Sequence, residues 1–262
     1  MLITLGLSFA YIINQLNTCI INNTQRSFYV ASKGNPLFLI IYWHRTGGTA
    51  NEFLQQGWYR NMTDVIVASP ESILGPTEYE WFLVGSNNMT DVYLFDSILK
   101  QMNMGTVYVA GFSAGAIMAS HLAFLRSNQI KLVAAMSGGF IFSENYNYVT
   151  SLPTIMTYTG GPKDVVSINN FTVATNIFLD SIKYANAKVY ECSHNDGHVI
   201  TDGESIDVYY FLTQSFSLIS SACQELNFTF STQPIPDKKS ASSNDWIDMT
   251  VFYFLIPFTF LV

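Results

Sequence analysis

The stretch Val107-Tyr108-Val109-Ala110-Gly111-Phe112-Ser113-Ala114-Gly115-Ala116-Ile117-Met118-Ala119-Ser120-His121 changes character twice along its length. Residues 107–109 are β-branched and aromatic, the composition of a short buried strand. Gly111-Phe112-Ser113-Ala114-Gly115 is a sharp turn, and residues 116–124 read as a helix packed on small side chains. Gly-x-Ser-x-Gly between a strand and a helix is the setting in which a serine hydroxyl is lifted above a sheet edge. Outside that setting the pentapeptide would be only a tight turn. The two glycines have a mechanical reason: the serine sits in strained backbone, and side chains two positions away would crowd the strand and helix. The turn also aims the Ala114 amide and the helix N-terminus at the hydroxyl, which suits a nucleophile.

Outward from this turn, strand and helix signals alternate. Residues 37–43 are a continuous apolar run, the mark of a central parallel strand buried on both faces. His44-Arg45-Thr46-Gly47-Gly48-Thr49 comes directly after it, and its glycine pair lets the backbone approach a ligand with free amides. Residues 26–31, 65–69, 132–136, 153–159 and 187–192 read as further strands, and 187–192 as the last clear one. Residues 50–59, 91–102, 171–184 and 205–216 read as helices. Between them, residues 71–88 are loop-like and hold Tyr79, Trp81 and Phe82, which either cover the core or line an acyl or aryl pocket. The expected class is α/β: one domain with a mostly parallel central sheet flanked by helices, its site above the carboxyl ends of the strands.

The polar singletons at those strand ends define the chemistry. Ser113, Asp164 and His198 occur in the order serine, acid, histidine, each after an expected strand. A serine hydroxyl becomes a useful nucleophile when a neutral imidazole accepts its proton, and a buried carboxylate fixes the imidazole tautomer. Of the 4 histidines, His121 lies within the helix after Ser113 and reads as packing, and His194 competes with His198 as base. The Gly197 before His198 suits a loop that must drop a ring over the serine. Asp196 and Asp202 are fallback acids, but they share the histidine's own loop. Ser137 lacks the flanking glycine frame.

These pieces together resemble the polyhydroxybutyrate depolymerase and feruloyl esterase-like group of α/β-hydrolases, related to family 1 carbohydrate esterases. The resemblance is carried by the apolar strand into His44-Arg45-Thr46-Gly47-Gly48, the helix start at Asp91-Val92, Gly111-Phe112-Ser113-Ala114-Gly115, Gly161-Pro162-Lys163-Asp164-Val165-Val166 and Gly197-His198. It spans residues 28–217. Two features depart from it: Arg45 stands where the family has glycine, and Val199-Ile200 stand where it has Trp-Pro. The resemblance implies an α/β-hydrolase fold and a serine esterase, with Ser113 as nucleophile, Asp164 as acid and His198 as base. It places the oxyanion donors at the amides of Thr46 and Ala114; Trp81 and His44 are the expected substrate contacts. The implied substrates are feruloyl or acetyl polysaccharide esters, or hydroxyalkanoate polyesters. A peptidase or thioesterase on the same machinery, and a glycan-binding surface glycoprotein that keeps the fold without catalysis, are the alternatives.

Composition places this domain in a compartment. Hydrophobic residues make up 49% of the 262 residues and charged residues 12%, too apolar for disorder. A net charge of −7 with only 12 Lys and Arg excludes nucleic acid as a natural partner. Residues 1–21 are apolar and nearly uncharged and are expected to be a signal peptide, the alternative being a first strand of the domain. Residues 22–230 are the expected domain and 231–248 a polar spacer. Residues 249–262 form an apolar tail, read as a GPI-attachment signal or a short membrane anchor. Sequons stand at Asn22, Asn61, Asn88, Asn170 and Asn227. The 3 cysteines leave Cys192 and Cys223 as a pair once Cys19 is assigned to the leader. The chain is therefore expected to be secreted or surface-anchored and monomeric, touching a membrane only through its tail. No metal-ligand spacing and no phosphate loop is present, so no cofactor is expected.

Overall fold

Short β-branched and aromatic runs, punctuated by Gly, Pro and Asn, build the elements of the computed structural model. It describes residues 13–72, 81, 89–141, 146 and 149–230. In chain order these are β1 (Ile13–Ile21), β2 (Thr24–Lys33), β3 (Phe38–Trp43), α1 (Gly57–Asn61), β4 (Val65–Pro70) and α2 (Thr90–Met102). Then come β5 (Val107–Phe112), α3 (Ala114–Leu125), β6 (Leu132–Met136), β7 (Thr154–Thr159), β8 (Val165–Val166), β9 (Asn169–Asn170) and α4 (Phe171–Ile182). The series ends with β10 (Ala187–Ser193), α5 (Asp202–Leu212) and β11 (Cys223–Phe228).

The main sheet has the order β1-β2-β4-β3-β5-β6-β7-β10-β11. Neighbours from β4 through β10 are parallel, while β1, β2 and β11 pair antiparallel at the two sides. Strand order reverses between β3 and β5, and in open α/β sheets the ligand crevice forms above such a reversal. Period-2 alternation sends successive strand residues to opposite faces. Leu39, Ile41, Val107, Val109, Val133 and Val189 meet α2, α3 and α4 in one core layer. Ile40, Tyr42, Tyr108, Ala110, Tyr158 and Tyr190 meet α1 and α5 in the other. β5 and β6 are buried along their whole length, which explains why they read as unbroken apolar runs.

Four expectations need correction or a new boundary. The fold begins before residue 22: Ile13–Ile21 pairs with β2 along its full length, and Cys19 and Ile21 are buried. A leader and an uncharged edge strand have the same composition, so the sequence did not separate them. The helix expected over residues 50–59 is broken into a 3-10 turn, Glu52–Gln55, and α1, because Gln56 is extended at ψ 136°. The last helix starts earlier than residue 205, since Thr201 and Glu204 form a capping box at the head of α5. A further strand, β11, comes after β10 and pairs with it, and Cys192 and Cys223, directly opposite each other, are joined in a disulfide. The spacer, the apolar tail, Tyr79, Phe82 and Asn88 lie outside the described residues. Among the described residues no helix is long and apolar enough to cross a membrane.

Candidate active site

Ser113 closes β5 and opens α3 with φ 57° and ψ −122°, a strained conformation for a residue with a side chain. Its N–H donates to the Met136 carbonyl of β6 at 2.9 Å, which anchors the turn to the neighbouring strand. A side chain at Gly111 would fall on the Gly115 backbone, and one at Gly115 on the carbonyls of Trp43 and His44. The glycines therefore let α3 start hard against β5 and against the end of β3. This close approach brings the loop after β3 alongside the α3 N-terminus, with Ala114 as its first helical residue and Thr46 exposed on the loop.

Asp164 is supplied by the loop after β7 and His198 by the loop after β10, and the two loops are packed backbone on backbone. Gly197 N–H donates to the Gly160 carbonyl at 3.1 Å, and His194 N–H to the Thr159 carbonyl at 2.9 Å. A Cβ on Gly160 would strike the Gly197 backbone, so only glycine allows the contact. Across it, Asp164 Oδ1 lies 2.6 Å from His198 Nδ1, and His198 Nε2 lies 2.8 Å from Ser113 Oγ. Asp164 is fully buried, and its second oxygen accepts the Gly160 N–H at 2.8 Å. With the carboxylate able only to accept, Nδ1 carries the proton and Nε2 presents a lone pair to the hydroxyl. The imidazole lies between two rings, Phe112 at 4.9 Å and Phe171 at 4.4 Å between centroids, both nearly parallel to it.

The competing residues sit elsewhere. His194 Nε2 lies 3.3 Å from Glu204 Oε2, away from Ser113, and the Asp196 N–H donates to its Nδ1. The Glu204 side chain raises the His194 pKa above its ordinary value, and burial raises that of Glu204. Asp196 faces His194 at 3.8 Å, and Asp202 is exposed in the first turn of α5. His121 packs with Tyr146, whose hydroxyl is 2.7 Å from Nδ1, and burial drops its pKa to about 4. Ser137 is buried with φ 50° and has no glycine two residues before it.

The two expected substrate contacts are placed differently. His44 is fully buried; its Nδ1–H donates to the Arg45 carbonyl at 2.9 Å, and burial lowers its pKa. Trp81 is 3% exposed, its indole N–H donates to the His44 carbonyl at 2.9 Å, and its ring meets Trp43 edge-on. Both brace the loop after β3 from behind. Arg45 turns to Glu52 at 3.4 Å. Phe112, Phe171, Gly160 and Glu204 were missed as site residues. Glu204 belongs to the His194 pair and not to the triad; of the others, Gly160 left a signal as a glycine at the end of an expected strand, and the two phenylalanines left none of their role. Among the described residues no group of three or more His, Cys, Asp or Glu could hold a metal ion.

No family model and no curated protein matches the sequence. Solved structures do match. Native pOPH superposes with a TM-score of 0.65 at 14% identity, over 86% of this chain and 97% of its own. An S-formylglutathione hydrolase from Agrobacterium tumefaciens gives 0.58 at 11% identity, over 80% and 95%. The fold is that of the α/β-hydrolases. A ferulic acid esterase shares it with a TM-score of 0.54 at 13% identity, over 80% of this chain and 98% of its own. At these identities the likeness concerns the path of the chain, so the reading of function returns to the site.

Proposed function

We propose that this chain is a serine hydrolase of carboxylic esters, working through an acyl-enzyme on Ser113. The observation that carries the reading is the unbroken hydrogen-bond chain Ser113–His198–Asp164, at 2.8 and 2.6 Å, above the strand-order reversal. His198 Nε2 takes the hydroxyl proton as Oγ attacks the ester carbonyl carbon. The carbonyl electron pair moves onto oxygen, where the amides of Ala114 and Thr46 receive it. Collapse expels the alcohol, which leaves with the proton held by His198. Water then attacks the acyl-serine, again giving a proton to Nε2, and the acid departs with Ser113 restored. Asp164 stays ionised throughout and stabilises the imidazolium.

Feruloyl or acetyl polysaccharide esters and hydroxyalkanoate polyesters are the proposed substrates. Secretion, with or without a surface anchor, is the proposed location. It is supported by the Cys192–Cys223 disulfide and by sequons whose asparagines 22, 61, 170 and 227 are all exposed. A fluorophosphonate probe tests the reading: it should label the wild type and not Ser113→Ala. Equal labelling of both would remove Ser113 from the mechanism.

A further inference from the structure

Strands β8 and β9 fold back on each other through Ser167 and Ile168, with Val165 opposite Asn170 and Val166 opposite Asn169. Both feet of this hairpin rest on the His198 ring. Asp164, immediately before it, holds Nδ1 at 2.6 Å, and Phe171, immediately after it, stacks on the imidazole. The Phe171 N–H donates to the Asp164 carbonyl at 2.9 Å, which closes the base of the hairpin. The hairpin thus rises directly from the catalytic imidazole.

Three of its six residues, Val165, Val166 and Ile168, are aliphatic and lie in water. Val165 is 43% exposed, Val166 45% and Ile168 80%. Val173, in the first turn of α4, and Val199, the residue after His198, are 51% and 47% exposed. Single exposed aliphatics are ordinary, but a group of them flanking a reactive centre marks a binding surface. No Asp, Glu, Lys or Arg occurs between Val165 and Leu179. A charged group would find no ionic partner on this arm, whereas a hydrocarbon chain would find branched side chains to lie against. Nothing in the folding of the chain requires these residues to be apolar, since they contribute to neither core layer.

We infer that the β8–β9 hairpin and Val199 form an apolar rim that holds the acyl chain of the substrate, so that among the proposed esters the enzyme favours those with longer aliphatic acyl chains over acetyl esters. The inference rests on ester hydrolysis at Ser113 and adds the substrate class. The experiment compares p-nitrophenyl acetate with p-nitrophenyl octanoate, on the full chain. The enzymes are wild type, the double variant Val166→Ser with Ile168→Ser, Val199→Ser, and Leu37→Ser, an exposed aliphatic at the far end of β3. The ratio of kcat/KM for octanoate over acetate should fall about tenfold in the double variant, the scale on which lost apolar contacts discriminate substrates. Leu37→Ser should keep the wild-type ratio. A ratio unchanged in the double variant and in Val199→Ser, or moved equally by Leu37→Ser, overturns the inference and leaves ester hydrolysis standing. A wild type that turns over neither ester and takes no fluorophosphonate overturns both.

Discussion

Asp164→Asn changes one atom of the proposed triad, and the hydrogen bonds around that atom dictate the outcome. In the native chain Oδ1 accepts from His198 Nδ1–H at 2.6 Å while Oδ2 accepts from the Gly160 N–H at 2.8 Å. Asparagine has one acceptor and one donor to offer to these two donors. If its oxygen keeps facing His198, its NH2 confronts the Gly160 N–H. That buried amide then loses its only acceptor there, at a cost of about 1–3 kcal/mol. If the side chain flips, the oxygen satisfies Gly160 and the NH2 donates to Nδ1. That forces the proton onto Nε2, and the ring can no longer accept the Ser113 proton. The flip avoids the backbone penalty, so the inactive tautomer should dominate. Turnover should fall roughly 10⁴-fold, or about 5 kcal/mol of transition-state stabilisation, with the fold retained. The assay is kcat/KM for p-nitrophenyl acetate beside the rate of fluorophosphonate labelling, with circular dichroism to confirm folding. A folded variant that keeps a tenth of the wild-type rate would refute both the tautomer argument and the role given to Asp164.

Two other perturbations probe the scaffold. Gly115→Ala puts a Cβ onto the Trp43 and His44 carbonyls, which belong to the end of a buried central strand and cannot yield cheaply. Urea unfolding should show a loss of about 1–3 kcal/mol, and an unaffected midpoint would contradict the close approach of α3 to β3. The His194–Glu204 pair predicts the direction of pH dependence. Glu204 raises the His194 pKa above 6.5, so that contribution is full below pH 6.5 and is lost as pH rises through the folded value. Burial raises Glu204 above 4.5, so the native state also holds this proton longer than the unfolded chain, and stability falls with rising pH there too. The melting temperature should therefore decline above pH 6.5, and Glu204→Gln should flatten the decline. An unchanged decline in the variant would show that the two groups are not coupled.

The alternation of strands and helices and the serine–acid–histidine order were legible because they depend on local pattern. Apolar runs give buried strands, and glycine marks the turns between them. Polar residues at strand ends stand out in a chain with 12% charged residues. Other features were hidden for physical reasons. Residues 13–21 offered hydrophobicity without charge, which an edge strand and a leader share. The helix over residues 50–59 has adequate propensity throughout, and only the extended Gln56, set by how the chain crosses to α1, breaks it. His44 and Trp81 looked like ligand contacts by residue type. Their roles were fixed by burial, which depends on long-range packing.

The same contrast runs through the site itself. The three residues that carry the proposed chemistry are polar and visible, whereas what positions them is largely backbone and apolar. Gly160 holds the carboxylate through its amide and touches Gly197, so the acid and base loops are fixed to each other as one unit. Phe112 and Phe171 confine the imidazole plane, and Gly115 sets the height of Ser113 over the sheet. A catalytic constellation needs its reacting atoms held within a few tenths of an ångström. In this chain that precision comes from contacts so close that no side chain fits between them. They leave no trace in the sequence beyond a glycine, which is why residue types announced the chemistry and only the folded chain could show how it is held.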